Sequence, residues 1–103
     1  MAALDCFAFP ALTGMTTTDQ KLREAFALVA GPLSGAGYPE RVKDAYELLE
    51  ANEYAIALEN MCENLYEFDC RVPRRAYEIF EEAGANLGVD RGYWELLRPQ
   101  VRG

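Results

Sequence analysis

Apolar residues recur at helical spacing in every segment of this chain that shows a period. Leu22, Ala25, Phe26 and Val29 share one face of a helix that runs to about Ala30, and Thr17 to Gln20 has the spacing of a capping box at its start. "GPLSGAG" is expected to stop that helix and to form the main flexible linker. Pro39 suits the first turn of a second helix, buried along Val42, Ala45, Tyr46 and Leu49. "ANE" reads as a short break with Asn52 as the next N-cap. From about Glu53 to Phe68 the apolar positions Tyr54, Leu58, Met61, Leu65 and Phe68 advance by four, three, four and three, which is a core-facing stripe.

Pro73 starts a fourth helix with Ala76, Phe80, Ala83 and Leu87 inward, and Gly88 falls where a left-handed C-terminal cap belongs. Asp90 is placed to cap a fifth helix that Pro99 ends. Val89 and Trp94 sit at the two positions of a hydrophobic staple. No segment alternates like a strand between turn signals. The pattern therefore predicts an all-α fold, a compact bundle of four to five antiparallel helices, with Leu65 and Phe80 in its core.

Composition narrows this further. The 103 residues, half of them hydrophobic, suffice for one core. Residues 16–103 are read as a single helical domain. Residues 1–15 are read as an N-terminal extension, docked through Phe7 and Phe9 or disordered. That start has no basic n-region and is broken by Asp5 and Pro10, so it does not read as a secretory signal. No apolar run approaches the length of a membrane span. Cys6, Cys62 and Cys70 form an odd, scattered set, which points to reduced thiols and a cytoplasmic setting; Cys62, on an apolar helix face, reads as a packing residue.

Histidine is absent, and with it the commonest general base and metal ligand. The net charge of −7 opposes direct contact with a nucleic-acid backbone and favours a basic protein partner.

The charge is unevenly spread. Between Asp44 and Asp69 lie eight acids (Asp44, Glu47, Glu50, Glu53, Glu59, Glu63, Glu67, Asp69) and no base; Arg71, Arg74 and Arg75 follow at once. Helices selected only for stability mix signs and place cations at their C-terminal ends. On a helical wheel Glu59, Glu63 and Glu67 form a stripe opposite Tyr54, Leu58 and Leu65. Ile56 falls inside that stripe and Tyr66 at its edge. Two readings stay open. One is a solvated acidic face, with Ile56 packed locally near Ala51 and Tyr66 partly buried. The other is a partner-binding face of Glu59, Glu63, Glu67, Ile56, Asp44, Glu47 and Tyr66, with apolar residues ringed by carboxylates. Tyr93, Trp94 and the Arg71 to Arg75 corner are the second place to look for an interface. Paired carboxylates are present, but no phosphate loop, nucleophile elbow or EF-hand loop accompanies them. No catalysis, cofactor or metal is expected.

From about Tyr38 to Val101, some two-thirds of the chain, the sequence resembles the MafI-type immunity proteins of bacterial polymorphic and contact-dependent toxin systems. The resemblance rests on "AYELLEANEYAIALENMCENLYEFDCRVPRRAYEIFEEAG" and "LGVDRGYWELLRPQV". The shared features are an acidic "ALENMCENLYE" helix, a D-x-x-V-P turn into a Y-E helix, and G-V-D-x-x-Y-W before the last helix. It implies a small all-α protein that binds a cognate toxin domain and blocks it. In such systems many toxins are basic nucleases, EndoU-like RNases among them, so an RNase is expected ahead of a DNase. Two alternatives remain: a small acidic helical adaptor or regulatory subunit on a basic protein with no toxin involved, and a DNA-mimicking inhibitor.

Overall fold

Leu22, Phe26, Val29 and Leu33 make one fully buried stripe along the first helix, α1 (Thr13–Gly35), of the computed structural model, which describes residues 13–103 and side chains from Thr18 onward. The expected helix end near Ala30 and the linker "GPLSGAG" are therefore corrected: the helix continues through Pro32. A proline inside a helix costs about 3 kcal/mol, through a lost hydrogen bond and a steric clash. Leu33, one turn beyond Val29, is fully buried, and burial of a leucine side chain contributes roughly 1.5–3 kcal/mol, enough to offset most of that cost. The helix also begins at Thr13, ahead of the cap expected at Thr17, so the boundary drawn after residue 15 falls inside it. Phe7, Phe9 and Cys6 lie outside the described residues.

Three further helices follow: α2 (Pro39–Glu50), α3 (Tyr54–Glu67) and α4 (Arg74–Leu87). All four long helices end in the same way. The residue two places past the helix takes a left-handed conformation: Gly37 (φ 101°), Asn52 (φ 61°), Asp69 (φ 52°) and, one place past α4, Gly88 (φ 75°). The next amide then donates back five residues: Tyr38 to the Leu33 carbonyl at 3.1 Å, Glu53 to Leu48 at 2.9 Å, Cys70 to Leu65 at 3.0 Å and Val89 to Gly84 at 2.9 Å. These Schellman motifs satisfy carbonyls the helix leaves open and reverse the chain, within three or four residues after α1, α2 and α4 and within six after α3. Asn52 thus closes α2 rather than capping α3. Its carboxamide oxygen accepts from the Tyr54 hydroxyl at 3.1 Å. Asparagine serves both positions, and here the need for positive φ prevails.

α1 packs against α2 and α4, and α2 against α3. The antiparallel sense appears in the side chains. Phe26 meets Tyr46 edge-on at 6.1 Å while Arg23 pairs with Glu50 at 2.9 Å. Across the other face, Glu24 pairs with Arg75 at 3.1 Å and Lys21 with Glu82 at 3.3 Å. Tyr38 stacks on Phe68 at 3.7 Å and closes one end of the α2–α3 pair. Leu65 and Phe80 are fully buried, as the stripes predicted.

The last helix is shorter than expected. α5 (Gly92–Glu95) is one turn, and its N-cap is Arg91, with no side-chain cap hydrogen bond, rather than the expected Asp90. The Asp90 carboxylate instead accepts from the Gly92 amide at 2.9 Å in a local turn just ahead of the helix. Pro99 has no amide to continue the ladder to Glu95, and the chain tightens into a 3₁₀ turn, η1 (Arg98–Gln100). Two residues, β2 (Val101–Arg102), then pair in parallel with β1 (Val72–Pro73). A ladder this short carries no alternation that a sequence pattern could show. Beside it the buried Gln100 donates through Nε2 to the carbonyls of Leu65 and Cys70, both at 2.8 Å, and ties the C-terminal segment to the end of α3.

α5 is seated by Trp94, which is buried against α4 over Gly84; a Cβ on Gly84 would overlap the indole ring. Gly84→Ala should therefore displace the indole and cost about 1–3 kcal/mol in urea unfolding, with loss of near-ultraviolet tryptophan ellipticity. Asp69→Gly should raise stability by roughly 0.5–1 kcal/mol in the same assay, because it relieves a left-handed non-glycine residue and removes an acid from a helix C-terminus. Asp69→Ala, which keeps the strain, should not show that gain.

Candidate functional site

The outward face of α3 carries Glu59, Glu63 and Glu67 and no cation of its own. Of the acids between Asp44 and Asp69, Glu50 pairs with Arg23 at 2.9 Å and Glu47 with Lys43 at 3.8 Å. Asp44, Glu53, Glu59, Glu63, Glu67 and Asp69 form no ion pair among the described residues. The cause is local: α3 buries Ala57, Leu58, Met61, Cys62 and Leu65, so its glutamates necessarily point outward. The three arginines next in sequence do not fold back onto them. Arg75 pairs with Glu24, and Arg74 donates to the Gly103 carbonyl at 3.1 Å.

Glu63 and Glu67 stand on a ridge between two depressions. On one side, between α3 and α5, lies an open groove of about 780 Å³ with Tyr66, Tyr93 and Leu96 as apolar walls and Glu63, Glu67 and Asp90 on its rim. On the other side, between α2 and α3, a hollow of about 260 Å³ brings Asp44 together with Glu63 and Glu67, beside Arg41. Glu47, engaged with Lys43, lines neither depression, nor does Ile56. Ile56 is nevertheless 44% exposed and Tyr66 52% exposed, so the local packing that would have buried either side chain does not occur. Trp94 is a core residue and offers no contact surface.

Tyr93 is the member of this site that the α3 wheel could not reveal. It is half-buried, and its hydroxyl ionises above the ordinary tyrosine range. The negative charge of Glu59 is the largest cause, followed by desolvation and then by Glu63 and Asp90. Glu59, itself part-buried, thus acts on the groove electrostatically. From the sequence, Tyr93 belongs only to a second candidate interface, and Leu96, 51% exposed, and Asp90 were missed as site residues. The available signal was the run "DRGYWELL", in which Trp94 and Leu97 turn inward and leave Tyr93 and Leu96 for the outside.

Cys62 and Cys70 are buried and unbonded to each other, and burial raises both thiols above their ordinary range, with nearby acids adding to the shift. Neither is primed as a nucleophile. Among the described residues no group of cysteine and carboxylate side chains converges to hold a metal ion, and no helix is long and apolar enough to cross a membrane. Comparison with family models, with curated proteins and with solved structures finds no match to this chain.

The electrostatic coupling is directly measurable. Glu59→Gln should bring the Tyr93 ionisation down towards the ordinary tyrosine value, followed by NMR of ring-labelled tyrosine across an alkaline titration. Removing a negative charge favours the phenolate, which fixes the sign. Glu47→Gln, on the far side of α2, should leave that titration unchanged.

Proposed function

We propose that this protein is an immunity protein: it binds a cognate toxin domain, a basic nuclease and an RNase ahead of a DNase, and inhibits it stoichiometrically through the acidic face of α3. The observation that carries the reading is the ridge of unpaired carboxylates, Glu63 and Glu67, beside the exposed Tyr66 and Leu96, with Ile56 also exposed on the same helix. A stability role does not account for that arrangement. Like charges at i,i+4 oppose the helix by about 0.2–0.5 kcal/mol per pair. Nuclease clefts that attract phosphates present the complementary potential. Long-range attraction would speed encounter, and the exposed apolar residues would slow departure. The protein needs no chemistry of its own on this reading; it works by occupancy and saturates at one equivalent. A helical adaptor on another basic protein would use the same face. The two differ in what the partner is and in whether inhibition protects a cell.

The test is association with the polypeptide encoded beside this gene, followed by stopped-flow kinetics at several salt concentrations. Glu59→Lys combined with Glu63→Lys should slow association by about tenfold or more at low salt and reverse its salt dependence, while the free protein stays folded. Ile56→Ala should act mainly on dissociation. Unchanged rates in the double variant, together with full protection of cells from the toxin, would show that the face is merely solvated. A neighbouring product that is no toxin, yet binds with the same salt signature, would select the adaptor reading.

A further inference from the structure

The groove between α3 and α5 joins an apolar wall to an anionic rim. Its walls are aromatic and aliphatic: Tyr66 and Leu96 are each about half exposed, and Tyr93 is half-buried. Its rim holds Glu63, Glu67 and Asp90, none of which forms an ion pair among the described residues. One oxygen of Asp90 accepts the Gly92 amide at 2.9 Å; the other has no hydrogen-bond partner among those residues. The groove is therefore apolar in its walls and anionic at its edge, and both properties constrain an occupant.

We propose that this groove receives an arginine side chain from a basic protein partner, with the guanidinium laid against the Tyr66 and Tyr93 rings and facing the carboxylates of Glu63 and Asp90. That the arginine arrives on a protein rests on the function proposed above; the preference of the groove for guanidinium does not. A purely apolar segment would desolvate three carboxylates without pairing them, which is costly. A phosphate or other anion is repelled by the same rim. A lysine ammonium is a compact, strongly hydrated charge that neither stacks nor forks. Guanidinium is planar, weakly hydrated, stacks on aromatic faces and donates to carboxylates along two parallel bonds. The buried thiol of Cys62 lines the groove and adds no competing charge, because burial holds it protonated. At about 780 Å³ the space exceeds one side chain, so the residues flanking the arginine would also lie in it, against Leu96.

The probe needs no partner: Nα-acetyl-arginine amide, and its lysine counterpart, titrated into the full chain and followed by NMR. Arginine amide should shift the signals of Tyr66, Gly92, Tyr93 and Leu96 with a Kd of about 10 mM, and the lysine compound should bind at least about fivefold more weakly. Glu63→Gln with Asp90→Asn should weaken arginine binding about tenfold while the amide spectrum stays dispersed, and Glu47→Gln should not change it. Shifts of equal size for both probes, or spread over the carboxylates of α2 and α4 alike, would overturn the proposal. So would shifts that need removal of residues 1–12, since the chain's own segment would then be the occupant. Concentration-dependent shifts of the same residues without a probe would assign the groove to a second copy, with the same consequence. The two readings fail separately. If arginine amide binds as expected and the neighbouring gene product does not associate, the immunity reading falls and the groove stands. If that product binds with undiminished affinity to the Glu63→Gln, Asp90→Asn variant, the arginine assignment falls alone.

Discussion

Four reversals of the chain, three of them made within three or four residues and the one after α3 within six, are the constraint on which this fold depends. Each uses one residue held at positive φ, and each returns an amide to a carbonyl five residues back. Without that geometry the last carbonyls of α1, α2, α3 and α4 would lack donors, and the connections could not be so short. Glycine fills two of the positions at no steric cost. Asn52 and Asp69 fill the others, with local side-chain polarity in place of a missing Cβ. Short turns then oblige successive helices to lie antiparallel, and the apolar stripes of α1, α2 and α4 meet around Phe26 and Phe80.

Folding and recognition draw on different faces of the same helix. α3 places its apolar positions inward and is held at its far end by Gln100, whose amide satisfies two carbonyls there. Because packing secures that helix, its outer face tolerates a row of acids whose mutual repulsion is worth only tenths of a kcal/mol per pair. α5 contributes little to the bundle in length. Its single turn, fixed by Trp94 over Gly84, nevertheless supplies the second wall of the groove and brings Tyr93 under the influence of Glu59. On the proposed reading, a partner meets the negative field first and the apolar groove second.

The amino-acid sequence by itself determined the all-α class, the four inward stripes, the glycine cap at Gly88 and the outward acidic row. All of these follow from the 3.6-residue period and from the φ preferences of single residues, which are local physics. Tertiary structure decided the rest. α1 passes through Pro32 because burial of Leu33 offsets most of a proline cost that a local pattern reads as a stop. Asn52 became a helix end because the reversal required positive φ, a choice its neighbours in sequence left open. The candidate site itself was half legible: Glu63, Glu67 and Tyr66 lie on one wheel, whereas Asp90, Tyr93 and Leu96 join them only because Trp94 and Gly84 pack together across distant segments. A period along one helix shows which residues face out. Which other element stands opposite them is settled by packing between helices, and no periodicity encodes that.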